Sequence, residues 1–152
     1  MKRVLLRSVF DAFEYVMAHY APFGEEDMVE KRDTYAVISI QDSHTGGGFG
    51  FTFNKTAYCR DVLTLYFDDT VKPVPGAVLF GEAHASAIID FINRNRSVDT
   101  LLVHCYAGQS RSRAVAAFAV KMLGADNRAY FTGGVPNRHI YDTLCRVYEN
   151  IT

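Results

Sequence analysis

The stretch TLLVHC, residues 100–105, limits the possible folds of this chain more than any other part of the sequence. It is a continuous apolar run without the polar alternation of a half-exposed strand, so it predicts a strand covered on both faces. A short turn follows, and then the pattern SRAVAAFAVKML, residues 112–123, predicts a helix that ends at Gly124. A buried strand that leads directly into a helix is typical of an α/β domain with a parallel sheet.

The rest of the chain also alternates between strand and helix patterns. Strands are predicted at residues 4–6, 34–40 and 62–67, and helices at residues 9–19, 81–95 and 138–150, with Ser8 and Asn137 as helix caps. We therefore expect a single α/β domain over residues 1–152, with a mainly parallel central sheet of about four to five strands flanked by helices. Ligands of such sheets bind beyond the carboxyl ends of the strands, where the sequence HCYAGQSRS lies at residues 104–112.

Charge and cysteine content exclude several classes of protein. The 152 residues carry a formal net charge of −1 without a block of like charges, which argues against nucleic-acid or membrane-surface partners. Three widely spaced cysteines without a CxxC or HExxH pattern argue against a disulfide framework and a metal site. With no apolar stretch long enough to span a membrane, we expect a cytoplasmic protein with reduced thiols. The oligomeric state is left open.

A glycine-rich stretch, QDSHTGGGFG, occupies residues 41–50. Its spacing fits neither GxGxxG nor GxxxxGK[ST], the two glycine patterns that bind phosphate. It is interpreted as a turn or hairpin tip.

The turn in HCYAGQSRS combines groups that bind an anion. The first N–H groups of the following helix have no partner within the helix and carry partial positive charge. Gly108 allows backbone conformations that other residues avoid, and Arg111 adds a fork of donors that matches phosphate oxygens. A loop of this kind can aim several N–H groups at one phosphate. The predicted phosphate-binding residues are Tyr106, Ala107, Gly108, Gln109, Ser110 and Arg111.

The same positive field acts on the thiol of Cys105. A cysteine that faces a helix N-terminus and an arginine ionises readily, and its thiolate would lie beneath a bound phosphate, in place for attack on phosphorus. Ser112 can donate a hydrogen bond to the sulfur when the sulfur later departs. His104 is expected to orient the loop through hydrogen bonds, because a thiolate needs no base.

These residues resemble the signature HCxxGxxR, followed by Ser or Thr, of the cysteine-based protein tyrosine phosphatases. His104, Cys105, Gly108, Arg111 and Ser112 stand at its positions, and the form AGQSRS is most similar to the dual-specificity branch. The flanking strand and helix fit, and the chain as a whole has the size of a dual-specificity domain. The resemblance implies a cysteine nucleophile, phosphate bound by loop N–H groups and the arginine, and no metal or other cofactor.

Expulsion of a tyrosine or serine oxygen needs a proton donor from elsewhere in the chain. The sequence LYFDDT, at the end of a predicted strand, offers Asp68 and Asp69. Neighbouring residues of a strand point to opposite sides, so the spacing by itself does not choose between them. The resemblance favours Asp69 as the general acid, although the sequence WPD of the longer tyrosine phosphatases is absent.

The expected activity is hydrolysis of phosphomonoesters through a phosphocysteine intermediate. The expected substrate is a phosphorylated protein, because none of the variable loop residues is basic and an inositide is therefore disfavoured. A chain of this length is expected to form a shallow pocket that accepts phosphotyrosine and also phosphoserine or phosphothreonine. Three alternatives stay open: a catalytically weak phosphate-binding module, a phosphatase for a non-protein phosphate (inositide or nucleotide), and a sulfur-transfer enzyme. Cys59 or Cys145 could also trap an oxidised Cys105 as a disulfide.

Overall fold

A computed structural model describes residues 1–20, 33–44 and 52–151. In these residues, four strands and five helices follow one another: β1 (Arg3–Ser8), α1 (Val9–His19), β2 (Tyr35–Gln41), β3 (Cys59–Tyr66), α2 (Glu82–Arg94), β4 (Thr100–Cys105), α3 (Arg111–Met122), α4 (Ala129–Thr132) and α5 (Arg138–Ile151). Every strand and helix that the sequence patterns predict is present. Most of the glycine-rich stretch interpreted as a turn lies outside the described residues.

The four strands form one sheet in the order β1-β4-β2-β3. All three neighbouring pairs are parallel, which confirms the predicted α/β fold with a parallel sheet. Strand β4 has β1 on one side and β2 on the other, so it lies in the interior of the sheet. This position explains why residues 100–105 are fully buried and read as a continuous apolar run.

Helices cover both faces of the sheet. Alternate residues such as Ile38 and Val103 face the larger core, which is formed with residues of α2, α3 and α5. Their neighbours Val37 and Leu102 face the smaller core, which includes Ala12 of α1. The two central strands therefore bury side chains on both faces, as strands of a parallel sheet do.

Local sequence signals set several helix ends. The hydroxyl of Ser8 accepts a hydrogen bond from the N–H of Asp11 at 3.1 Å, which fixes the first turn of α1. The Oδ1 atom of Asn137 accepts one from the N–H of Ile140 at 3.1 Å and starts α5 in the same way. Gly124 follows α3 with a φ of +78°, the left-handed conformation in which helices often end.

The carboxyl ends of the parallel strands meet at one edge of the sheet. Cys105 at the end of β4 is level with Ser8 at the end of β1, and Gln41 at the end of β2 is level with Tyr66 at the end of β3. Segments that are far apart in sequence therefore converge at this edge, where HCYAGQSRS also lies.

Cys59 lies at the opposite edge from Cys105. Both Cys59 and Thr100 are level with Tyr35, so the length of β4, about 17 Å, separates Cys59 from Cys105. A disulfide requires Cα atoms within about 7 Å of each other. This fold therefore excludes a disulfide between Cys59 and Cys105, which the sequence had left open.

Cys145 is also remote from Cys105. It lies on α5 with its sulfur 3.5 Å from Nζ of Lys121, near the end of α3, whereas Cys105 lies just before the start of that helix. Ten residues of helix span about 15 Å. Cys145 is therefore no better placed than Cys59 to form a disulfide with Cys105, and all three thiols are free.

No helix in residues 1–20, 33–44 and 52–151 is both long enough and apolar enough to cross a bilayer.

Candidate active site

The loop of residues 105–111, called the Cys–Arg loop here, connects β4 to α3. Ser110 is the N-cap residue of α3, and its carbonyl accepts the first helical hydrogen bond, from the N–H of Ala114 at 3.1 Å. The Ser110 hydroxyl does not cap the helix; it donates instead to Oδ1 of Asp69 at 2.8 Å. The positive end of α3 is thus directed at the loop without a side-chain cap.

Gly108 gives the Cys–Arg loop its tight path. Its φ is +71°, in the left-handed region, and its N–H donates to Sγ of Cys105 at 3.2 Å. A Cβ atom at this position would lie 2.7 Å from the carbonyl carbon of Arg7 and from the nitrogen of Ser8. Glycine is therefore required twice, by the backbone conformation and by the close approach to β1.

The sulfur of Cys105 lies at the floor of the loop. The residue is 3% exposed, and Oγ of Ser112 is 3.0 Å from the sulfur. A thiolate carries no proton, so in that state the Ser112 hydroxyl is the donor, together with the N–H of Gly108. The hydroxyl of Ser112 and the N–H of Gly108 therefore both contact the sulfur.

A chain of hydrogen bonds from β2 fixes the ring of His104. Its Nδ1 atom is 3.1 Å from the carbonyl oxygen of Cys105, and its Nε2 atom is 2.7 Å from Oγ of Ser39. The carbonyl can only accept, so Nδ1 carries the hydrogen and Nε2 accepts from the Ser39 hydroxyl. That hydroxyl in turn accepts from Nε2 of Gln41 at 2.7 Å. The buried imidazole thus holds the Cys105 carbonyl at the start of the loop.

Burial lowers the pKa of His104 to about 4, and the positive charge of Arg111 acts in the same direction, although the hydrogen bond to the Cys105 carbonyl opposes both. The ring is therefore neutral at pH 7. A neutral, fully buried imidazole suits the orienting role that the sequence predicts for it, and that role stays a prediction.

Arg111 ends the loop and begins α3. Its guanidinium contacts the residues that directly follow β2 and β3. Its Nη1 atom donates to the carbonyl of Phe67 at 2.9 Å and lies 2.6 Å from Oδ1 of Asp42. Both contacts use Nη1, so these two partners leave Nε and Nη2 of the planar guanidinium unused. The sequence prediction did not include Asp42, although this residue lies only two positions beyond a predicted strand (34–40) whose carboxyl end lies at the same edge.

The two neighbouring carboxylates of LYFDDT have different partners. Asp68 accepts from the N–H of Ser43 at 3.0 Å and of Val78 at 2.7 Å, and also from the Ser43 hydroxyl. Burial alone would raise the pKa of Asp68, but these hydrogen bonds together hold it below its usual range. Asp68 is thus an ionised structural group that joins the segment after β2 to the segment after β3.

Asp69 is exposed and lies beside the Cys–Arg loop. Its Oδ1 atom accepts from the Ser110 hydroxyl and from Nδ2 of Asn137 at 2.9 Å. The same Nδ2 donates to the carbonyl of Thr70 at 3.1 Å, and the N–H of Asn137 donates to the carbonyl of Ser110 at 3.2 Å. Asn137, predicted only as a helix cap, therefore also joins the segment that carries Asp69 to the Cys–Arg loop.

Comparisons of the sequence find no match among protein-family models and none among curated proteins. Solved structures with a similar fold include PTPMT1 in complex with PI(5)P, at a TM-score of 0.55 and 15% identity over 99% of this chain and 93% of that one. Tk-PTP in its active form is similar at a TM-score of 0.51, with 18% identity over 98% of this chain and 93% of that one. Human DUSP28 is similar at a TM-score of 0.50, with 15% identity over 97% of this chain and 92% of that one. The chain has the protein tyrosine phosphatase-like fold. The predicted resemblance is thereby confirmed at the level of the fold.

Two alanine substitutions test the role of Gly108. Gly76 also has a positive φ, of +80°, but a Cβ there would meet nothing within 4 Å. We expect Gly76→Ala to lower the free energy of unfolding by about 1–2 kcal/mol through backbone strain alone. Gly108→Ala should lower the free energy of unfolding by about 1–3 kcal/mol more than Gly76→Ala does, because the backbone of β1 must move. Urea unfolding measures both variants; equal losses would contradict the required close approach.

The neutral His104 makes stability depend on pH. The unfolded chain, with a histidine pKa near 6.5, binds a proton as the pH falls, whereas folded His104 binds none until the pH nears 4. Stability from this group is thus complete above about pH 6.5 and decreases below it, by about 2 kcal/mol between pH 7 and pH 5. Urea unfolding at the two pH values should show this decrease.

In the variant His104→Gln, the decrease in the free energy of unfolding between pH 7 and pH 5 should be smaller by about 2 kcal/mol. The control His19→Gln, at an exposed position of α1, should keep it. Burial also lowers the pKa of His84, which adds a pH-dependent contribution common to all three proteins. An unchanged pH dependence in His104→Gln would show that His104 is not held neutral.

Proposed function

We propose that this chain is a phosphomonoester hydrolase of the cysteine-based protein tyrosine phosphatase type. It would act on phosphoproteins in the cytoplasm, removing phosphate from tyrosine and also from serine and threonine, with residues 1–152 forming one phosphatase domain. The observation that carries the proposal is the position of the Cys105 sulfur, within 3.2 Å of both the Gly108 N–H and the Ser112 hydroxyl at the floor of the Cys–Arg loop. With two hydrogen-bond donors, this sulfur would serve as a thiolate nucleophile in the first step and as a leaving group in the second.

In the first step the Cys105 thiolate attacks phosphorus. A sulfur–phosphorus bond forms as the bond between phosphorus and the substrate oxygen breaks, and the protonated carboxyl of Asp69 donates its proton to that oxygen. The dephosphorylated alcohol or phenol leaves. The location of Asp69 beside Ser110 supports this assignment, whereas the three donors on Asp68 keep that residue ionised and occupied.

In the second step water hydrolyses the phosphocysteine. The Asp69 carboxylate takes a proton from the water, the water oxygen attacks phosphorus, and the sulfur–phosphorus bond breaks to give inorganic phosphate and the thiolate. The Ser112 hydroxyl, 3.0 Å from the sulfur, supports this departure with its hydrogen bond.

Negative charge on the transferring phosphoryl group would be balanced by the loop. The proposed donors are Nε and Nη2 of Arg111 and the backbone N–H groups of residues 106–111 other than that of Gly108, which donates to the sulfur. Asp42 and the Phe67 carbonyl fix the guanidinium, so that the fork does not have to be ordered when substrate binds.

A metal-free assay with p-nitrophenyl phosphate tests the proposal. We expect the protein to hydrolyse this ester in the presence of a chelator and to be inhibited by vanadate, and Cys105→Ser to reduce the rate at least about 10³-fold, because serine is not ionised at neutral pH. Ser112→Ala should retain formation of the phosphoenzyme and slow its hydrolysis.

The alternatives predict other results in the same experiment. A phosphate-binding module would bind vanadate without turnover, and a sulfur-transfer enzyme would convert cyanide with thiosulfate as donor. A phosphatase for inositides or nucleotides would depend on Cys105 but would turn over those compounds in preference to phosphopeptides. Full turnover by Cys105→Ser would overturn the proposal itself.

The role of Asp69 is tested by comparing two asparagine variants. With phosphopeptides, whose leaving groups need a proton, Asp69→Asn should reduce kcat about 10²-fold or more. The matched control Asp68→Asn changes the neighbouring carboxylate, which contacts Ser43 and Val78, and should reduce kcat much less, with its main effect on stability.

The pH profile gives a second measurement of the same role. A mechanism that needs a protonated acid and an ionised thiol predicts a bell-shaped dependence of kcat/KM on pH. Asp69→Asn should lose the decrease at high pH, since no acid is left to deprotonate. A wild-type rate that rose steadily through pH 9 would contradict the assignment of Asp69.

A further inference from the structure

A cleft of about 500 Å³ opens at the amino edge of the sheet, where the amino ends of the parallel strands meet. Thr34 and Asp99, which directly precede β2 and β4, lie in its lining together with Arg60 of β3 and Arg94 of α2. The length of β4, about 17 Å, separates this edge from Cys105. The cleft is therefore distinct from the candidate active site.

Arg60 lies in the cleft at an irregularity of β3. Tyr35 of β2 is level with Cys59, but the next residue of β2 is level with Asp61. Arg60 thus has no residue opposite it, as in a β-bulge, a feature that redirects side chains at the edges of sheets. Its guanidinium makes no hydrogen bond and no ion pair within the part of the chain that the structure describes.

Arg94 is fixed through one of its nitrogens. Its Nε atom donates to Oδ2 of Asp61 at 2.9 Å, and the same oxygen accepts from Nδ2 of Asn95 at 2.9 Å. Asn95 is buried and also donates to the carbonyl of Phe91 at 2.9 Å, which ties Asp61 to the end of α2. Among residues 1–20, 33–44 and 52–151, Nη1 and Nη2 of Arg94 have no hydrogen-bond partner.

The carboxylate in the lining of the cleft is already occupied. Oδ2 of Asp99 accepts from the N–H of Thr34 at 2.8 Å, and Oδ1 lies 3.2 Å from Nζ of Lys2. Ser97, in the turn before Asp99, has a hydroxyl without a hydrogen bond to any described residue. The cleft therefore offers two guanidinium groups and a hydroxyl, while its carboxylate is paired with another cation.

The described residues around the cleft carry an excess of positive charge. The carboxylates at this edge are all paired, as Lys2–Asp99, Arg3–Asp33 and Arg94–Asp61. The basic side chains there are more numerous: Lys2, Arg3, Lys55, Arg60, Arg94 and Arg96. Because the whole chain has a formal net charge of −1, this excess is local, and it attracts anions to this edge.

We propose that the cleft is a second anion site, which binds a phosphate group with the guanidinium groups of Arg60 and Arg94 and the Ser97 hydroxyl as donors. Two guanidinium groups in one cleft repel each other, and a phosphate group bound to both offsets that repulsion. The phosphate can come from inorganic phosphate or from a small phosphate ester, since the cleft is larger than the ion itself. This inference goes beyond the proposed function and does not depend on it.

Titration of Cys105→Ser with inorganic phosphate, followed through its amide NMR signals at constant ionic strength, tests the proposal. The signals distinguish the two sites, because residues 96–99 report the cleft and residues 105–111 report the Cys–Arg loop. We expect the signals of residues 96–99 to shift and saturate with a dissociation constant on the order of 1 mM, as two or three charge-assisted hydrogen bonds would give.

Single arginine substitutions in the same background test the donors. Arg60→Gln and Arg94→Gln should each raise this dissociation constant at least about fivefold. Arg146→Gln is the matched control: the Arg146 side chain is 55% exposed against 54% for Arg94, and it also pairs with one carboxylate, that of Glu82. It should leave the dissociation constant unchanged. Glycerol phosphate replaces inorganic phosphate in a parallel titration, and tighter binding of the ester would identify an organic phosphate as the ligand.

The outcomes separate this inference from the proposed function. Saturable shifts at residues 96–99 that weaken in both cleft variants and persist in Arg146→Gln support it. Shifts that do not saturate, that sodium chloride reproduces, or that neither cleft variant weakens overturn it. Turnover that depends on Cys105 is measured separately, so either proposal can fail while the other stands.

Discussion

The geometry of the site depends on the contact between Gly108 and the backbone of β1. The Cys–Arg loop can follow its tight path only because no side chain separates Gly108 from the backbone of Arg7 and Ser8. The turn brings the Gly108 N–H to the sulfur of Cys105 and lets α3 begin at Arg111. The helix start, the thiol and the guanidinium are thus brought together by one close approach of two backbone segments.

Buried polar groups then fix the Cys–Arg loop at both of its ends. The chain of hydrogen bonds from Gln41 through Ser39 to His104 fixes the carbonyl at the start of the loop, and it is fully shielded from water. Such bonds stabilise strongly where the dielectric is low, and they specify one arrangement. Asn137 does the same at the other end, where a single side chain contacts α5, the loop and the segment with Asp69. Both ends of the Cys–Arg loop are thereby fixed by contacts with strands and helices.

The three carboxylates at the edge of the sheet have different hydrogen-bond and ion-pair partners. Asp42 pairs with Arg111, Asp68 binds the segments around Ser43 and Val78, and Asp69 lies at the open side of the loop.

Much of this protein is determined by local sequence. The apolar run of β4, the Ser8 cap, the Asn137 cap and the spacing of Cys105, Gly108 and Arg111 each depend on near neighbours, so the strands, the helices and the candidate loop could be read directly. What the sequence left open depends on contacts between distant segments. The contact between Asp68 and Ser43, the pairing of Asp42 with Arg111 and the distance of Cys59 from Cys105 follow from the strand order β1-β4-β2-β3. The contact of Asp69 with Asn137 and the distance of Cys145 from Cys105 follow from the packing of α5. Strand order is a property of packing: parallel strands bring their carboxyl ends to one edge whatever their separation along the chain, and only the tertiary structure decides which ends become neighbours.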